Sequence, residues 1–129
     1  MSYLLDTHAL LWFITDNSFL PKILKEEIKN IDNKCVVSIA SFWEIGIKHS
    51  LHKLILKNKL ESLFNIIESN PFEILPVLPT HILKLSTLKF NGHRDPFDRM
   101  LIAQAQIENP VILTKDKQFS SYDVPVKWN

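Results

Sequence analysis

The chain of 129 residues has the length of one domain, and we expect a single domain covering residues 1–129. Its hydrophobic fraction of 46% suffices for one sizeable core, and its formal net charge of +1 neither demands nor excludes a nucleic-acid partner. No apolar run is long enough to cross a bilayer, and the N-terminal residues lack the pattern of a signal peptide. We therefore expect a cytoplasmic protein without membrane contact.

Short apolar runs alternate with amphipathic segments along the chain. In chain order they predict a strand at 3–5, helices at 7–14 and 21–31, a strand at 35–39, a helix with apolar residues from 42 to 51, a helix at 58–69, a strand at 72–75, a helix after Pro79, a helix from Pro96, a strand at 111–113 and a short strand at 124–127. This alternation predicts the α/β class: a three-layer α/β/α sandwich around a central, mainly parallel sheet of about four or five strands.

The single cysteine, Cys35, cannot form an internal disulfide. It lies in an apolar stretch of the second predicted strand, so we expect a buried structural thiol.

Four acidic residues lie near the predicted carboxyl ends of strands. Asp6 follows the first strand, and Asp116 lies just past the strand at 111–113. Glu44 lies in the first turn or so of the helix after the second strand, and Asp98 in the first turn of the helix from Pro96. Because ligands bind outside the carboxyl ends of parallel strands, these acids can form one site. Their oxygens are hard ligands suited to Mg²⁺ or Mn²⁺.

Each acid also has a purely structural explanation, and the pattern alone does not choose between the two. Asp6 can cap the helix at 7–14, and Ser41 and Glu44 have the spacing of a capping box. Asp95 can cap the helix from Pro96, which leaves Asp98 to interact with the helix dipole. Asp116 can stabilise a turn.

The four acids lie within four longer segments. These are LLDTHALLW at 4–12, SFWEIGIK at 41–48, HRDPFDRMLIAQA at 93–105 and LTKDK at 113–117. In this order the segments resemble the four acidic motifs of the VapC family of PIN-domain toxins, and they extend over nearly the whole chain. The resemblance implies a PIN-like fold and carries a catalytic, metal-binding role onto Asp6, Glu44, Asp98 and Asp116.

The resemblance further implies an Mg²⁺- or Mn²⁺-dependent endoribonuclease, the toxin of a type II toxin–antitoxin system. Such an enzyme hydrolyses RNA phosphodiester bonds with water that the metal activates. The implied partners are an RNA substrate, a cognate antitoxin that blocks the site and a second copy in a homodimer.

Other polar residues near the motifs are candidate substrate contacts. Thr114 can help hold the fourth acid by hydrogen bonding. His8 and Arg94 can contact an RNA phosphate, or can equally be a hydrogen-bonded helix residue and a surface ion pair. Arg99 has the spacing to pair with Asp95 along a helix.

Two further patterns favour structural roles. The basic residues between 48 and 59 can guide RNA, although a solvated helix face and loop explains them as well. The aromatic residues Trp12, Phe13, Phe42 and Trp43 are typical of core or dimer contacts rather than base-stacking platforms.

Three other functions are alternatives to the ribonuclease. A phospho-receiver domain needs an acid pair after the first strand and an aspartate after the third, and neither is present. A catalytically silent PIN-like binding module would not need all four acids. A structure-specific DNA nuclease uses the same phosphodiester chemistry, so it remains the enzymatic alternative.

Overall fold

The computed structural model describes residues 1–90 and 94–129. Residue His93 of the third motif lies outside these ranges. The elements, in chain order, are β1 (Ser2–Leu5), α1 (Thr7–Ile14), α2 (Lys22–Lys29), β2 (Lys34–Ser38), α3 (Ile39–Ser50), α4 (Leu60–Ser69), β3 (Glu73–Leu75), α5 (Pro79–Ser86), α6 (Pro96–Glu108), β4 (Val111–Leu113), a 3-10 helix (Lys117–Ser121) and β5 (Val126–Lys127).

The five strands form one sheet in the order β3-β2-β1-β4-β5, and every neighbouring pair is parallel. β1 therefore lies at the centre, between β2 and β4. Because all the strands run in the same direction, their carboxyl ends meet at one edge. The predicted α/β class and parallel sheet are confirmed.

Two hydrophobic cores cover the two faces of the sheet. Tyr3 and Leu5 of β1 point into a core with α1, α2, α3 and α4, whereas Leu4 points into a core with α6 and the 3-10 helix. This alternation follows from the two-residue repeat of a strand. Helices on both faces give the three predicted layers. Cys35 is buried in the first core, as expected.

The boundaries of several elements differ from the sequence-based prediction. α2 ends at Lys29 rather than at residue 31, because Asn30 has extended backbone angles. The predicted strand extends to residue 39, but α3 already begins at Ile39. The Ser38 hydroxyl accepts a hydrogen bond from the Ala40 N–H and so caps the helix. No helix in the described ranges is long and apolar enough to span a membrane.

Candidate metal centre

Asp6 stands at the carboxyl end of the central strand β1. Its Oδ1 accepts a hydrogen bond of 2.8 Å from the Ala9 N–H, so Asp6 caps α1. This is the structural explanation that the sequence offered beside metal binding. The side chain of Asp6 is nevertheless unusual for a cap, because the residue is only 5% exposed. Capping alone does not require burial of a carboxylate.

The surroundings of Asp6 leave its charge poorly compensated. Burial raises the pKa of Asp6 above its ordinary value, and the neighbouring Glu44 raises it further. Hydrogen bonds from the Ala9 N–H and the Thr114 hydroxyl and the nearby His8 oppose this rise without cancelling it. A cation beside Asp6 would therefore stabilise its ionised form.

Asp98 and Asp116 face the same pocket as Asp6. The pocket measures about 270 Å³, and its described lining consists of Asp6, His8, Trp12, Asp98, Lys115, Asp116 and Phe119. Three of the four predicted acids thus come together, from the ends of β1 and β4 and from the first turn of α6. A pocket with several carboxylates attracts cations.

Local hydrogen bonds fix the backbone at Asp98 and Asp116. Asp95 caps α6 as expected, since its Oδ1 accepts from the N–H groups of Phe97 and Asp98 at 2.9 and 3.0 Å. The Asp116 N–H donates to the Thr114 hydroxyl at 3.0 Å, and the Asp116 carboxylate caps the following 3-10 helix. Thr114 therefore touches both Asp6 and Asp116.

Glu44 lies near this pocket but is held by its own neighbours. It is 3% exposed; its Oε1 accepts from the Thr7 hydroxyl and its Oε2 from the Lys48 ammonium, both at 2.6 Å. The predicted capping box with Ser41 is wrong, because α3 begins at Ile39 and Glu44 lies in its second turn. The hydroxyls of Ser41 and Thr7 instead lie 3.1 Å apart.

The described ranges contain no group of three or more His, Cys, Asp or Glu side chains arranged to hold a metal ion as they stand. Glu44 is absent from the described lining of the pocket, and Thr7 and Lys48 engage its two oxygens. The chemistry of the set still fits a hard divalent cation, since three carboxylates line one pocket and one of them is buried.

The remaining candidate residues divide between the pocket and the surface. His8 lines the pocket and stacks against Trp12 at 5.5 Å between ring centroids. Arg94 is exposed and is not part of the described pocket lining. Trp43 is 63% exposed, so it is not a core residue of this chain, whereas Phe42 is buried as expected.

Sequence reasoning missed Thr7 and Lys115, and it placed Lys48 only in the basic stretch at 48–59. Thr7 and Lys48 hold Glu44, and Lys115 lines the pocket beside the acids. The spacing of Glu44 and Lys48, four residues apart on one helix, is the signal that predicts their pairing. Lys115 lies next to Asp116 within the fourth motif, and this position is the signal that indicates its place beside the acids.

Arg99 does not make the predicted side-chain pair with Asp95. Its guanidinium is buried and donates to the Leu88 and Lys89 carbonyls at 3.1 and 3.0 Å and to the Tyr122 hydroxyl at 3.3 Å. It also lies 4.4 Å from the centre of the Phe90 ring. Arg99 therefore fixes the segment at 88–90 against the start of α6, the helix that carries Asp98.

The chain matches the family model described as PIN domain over residues 3–125. It belongs to the PIN domain family. The match includes all four acids, and it confirms the family predicted from the four motifs. A search of curated protein sequences gave no match for this PIN domain.

Several solved structures share the fold. VapBC2 from Rickettsia felis, bound to a promoter DNA fragment, has a TM-score of 0.74 at 20% identity, with both chains covered completely. VapBC-1 from nontypeable Haemophilus influenzae has a TM-score of 0.70 at 22% identity, covering 98% of this chain and 97% of the other. VapBC-5 from Mycobacterium tuberculosis, of the VapBC family of toxin-antitoxin systems, has a TM-score of 0.61 at 18% identity, covering 98% and 95%. These similarities confirm the PIN-like fold.

Proposed function

We propose that this PIN domain is a metal-dependent endoribonuclease, the toxin of a type II toxin–antitoxin pair that acts in the cytoplasm. The observation that carries the proposal is the pocket shared by Asp6, Asp98 and Asp116 at the carboxyl edge of the sheet. The membership of the chain in the PIN family over residues 3–125 supports the proposed activity. The single sheet with a hydrophobic core on each face supports a single domain over residues 1–129.

Mg²⁺ or Mn²⁺ is the proposed cofactor, and Asp6, Asp98, Asp116 and Glu44 are its proposed ligands. Such ions, when bound, supply activation of a water molecule and neutralise charge that develops on the phosphodiester. The buried carboxylate of Asp6 supports this assignment, because its charge is poorly compensated by the chain itself.

The other polar residues would orient the acids and the substrate. Thr114 holds the carboxylate of Asp6 and the backbone of Asp116, which keeps the two acids in register. Lys115 and His8 line the same pocket and are placed to contact a phosphate that enters it. No serine or cysteine nucleophile is needed, since water attacks the phosphorus and the bond to the leaving ribose oxygen breaks.

An exposed apolar surface supports the proposal that the chain binds a protein partner. An open groove of about 410 Å³ is lined by Ile39, Phe42, Trp43, Gly46, Ile47, Ser50 and Phe64. The large exposed fraction of Trp43 is costly in water, and such patches mark interaction sites. An antitoxin and a homodimer are the proposed partners, in line with the VapBC complexes that share the fold.

Cleavage of a labelled RNA by the purified chain tests the proposal. We expect cleavage with Mg²⁺ or Mn²⁺, none with excess EDTA, and a loss of about 100-fold or more in Asp6→Asn and Asp98→Asn. Asp32→Asn is the matched control, because Asp32 is exposed beyond the opposite edge of the sheet, just before β2. A DNA oligonucleotide of the same sequence is assayed in parallel.

Three results would contradict the proposal. Equal cleavage by the wild type and Asp6→Asn would remove the acidic pocket from the chemistry. Cleavage of the DNA but not the RNA would replace the ribonuclease with a DNA nuclease, and metal binding without cleavage of either would favour a silent binding module.

A further inference from the structure

Glu44 is a buried carboxylate whose two oxygens are both engaged by the chain. The Thr7 hydroxyl donates to Oε1 and the Lys48 ammonium to Oε2, each at 2.6 Å. Thr7 is itself buried, so it is a fixed partner. Of the two oxygens, Oε2 is therefore the one that would become available to a cation if Lys48 moved away.

Lys48 is the movable partner of the pair. Its side chain is 38% exposed, whereas that of Glu44 is only 3% exposed. A lysine is protonated at neutral pH, and the ammonium of Lys48 donates to Oε2 of Glu44. Lys48 thus carries a positive charge beside the acidic centre and has solvent into which it can withdraw.

We propose that Lys48 is a built-in counter-ion that occupies Glu44 and competes with the divalent ion for this carboxylate. The inference rests on the proposed function and makes Lys48 a positioning residue of the same site. In the metal-free protein its ammonium neutralises Glu44. Glu44 would become available to a divalent ion at Asp6, Asp98 and Asp116 only if that ammonium withdrew.

An ordinary surface pair four residues apart on a helix does not explain this contact. In such a pair both charges are hydrated, and loss of one changes little. Glu44 is instead buried beside a second buried acid, Asp6, and its charge acts on Asp6. Removal of Lys48 would leave two neighbouring buried carboxylates with one cation fewer, which favours a divalent ion in its place.

Binding of Mn²⁺ alone, followed by the electron paramagnetic resonance of the free ion, tests this role without any activity assay. Lys48→Gln should bind Mn²⁺ about tenfold more tightly than the wild type, the factor that corresponds to 1.4 kcal/mol. Lys48→Arg keeps the charge and should stay within about twofold of the wild type. Lys53→Gln is the matched control, since Lys53 is an exposed lysine of the following turn.

A double-mutant cycle separates competition for Glu44 from a general change in charge. In a Glu44→Gln background, Lys48→Gln should tighten Mn²⁺ binding by no more than about twofold. An equal gain in both backgrounds overturns the proposal, as does unchanged or weaker binding by Lys48→Gln alone. Melting of each variant shows whether it is folded.

A measurement on the wild type covers the case in which Lys48→Gln fails to fold. The side-chain amine signal of Lys48 in ¹⁵N-lysine spectra, assigned with Lys48→Arg, should shift when Mg²⁺ is added. A signal that does not move while Mg²⁺ binds overturns the proposal. A wild type that binds neither ion removes the metal-dependent function and this inference together, whereas normal binding with a failed cycle removes the inference alone.

Discussion

Replacement of Asp6 by asparagine should stabilise the metal-free protein. Asparagine keeps an Oδ1 that can accept the Ala9 N–H, so the cap of α1 is retained, and only the charge is lost. That charge is 5% exposed, and burial raises the pKa of the carboxyl. We expect a gain on the order of 1 kcal/mol in the free energy of unfolding at pH 7 in EDTA. For a domain of this size the gain corresponds to roughly 4 °C in Tm.

The pH dependence gives the same prediction a sign. Because the pKa of Asp6 is raised in the folded state, the folded protein binds more protons than the unfolded one between the ordinary pKa and the raised one. The wild type should therefore lose stability as pH rises through that window. Asp6→Asn should lack this loss, and the two proteins should be equally stable below the ordinary pKa of an aspartate.

Urea unfolding in EDTA, followed by circular dichroism across the acidic and neutral range, measures both effects. Asp6→Ala is the matched control, because it removes the charge and also the cap, which costs about 1 kcal/mol. A wild type that is more stable than Asp6→Asn at pH 7 without metal would refute the reasoning. The chain itself would then stabilise the charge of Asp6, and no cation would be needed to balance it.

The remaining predictions concern the residues around the site. Thr7→Val should lower stability by about 2 kcal/mol in chemical denaturation, because it leaves an oxygen of buried Glu44 without its donor, and an unchanged midpoint would contradict the contact. Arg99→Met should cost about 3 kcal/mol in the same assay, since the Tyr122 hydroxyl and two backbone carbonyls lose their donor; a loss under about 0.5 kcal/mol would argue against this network. Cys35 should resist iodoacetamide at pH 8 in the native protein and react in urea, because burial raises its pKa to about 11; rapid native labelling would place the thiol at the surface.

The position of the candidate site was predictable because it depends on the backbone. Alternating apolar and amphipathic segments predict parallel strands, and parallel strands bring their carboxyl ends to one edge. Asp6 and Asp116 follow β1 and β4, which are hydrogen-bonded neighbours, so their proximity follows from the order of the strands. The same reasoning brings in Asp98 only once α6 is known to begin at that edge.

The partners of the long side chains could not be predicted in the same way. Glu44 has the spacing of a capping box with Ser41, but the start of α3 is fixed by Ser38, the last residue of β2. Arg99 has the spacing of an ion pair with Asp95, four residues earlier on the same helix, but its guanidinium is buried against the segment at 88–90. Long side chains have several rotamers, and tertiary contacts that are distant in sequence choose between them.

We propose that the acidic pocket cleaves RNA. Mapping of new RNA ends after brief expression of the wild type, beside Asp6→Asn at equal protein level, tests it most directly. We predict discrete new ends in the wild type that are absent with Asp6→Asn. An absence of new ends in the wild type, or identical ends in both, would contradict the claim.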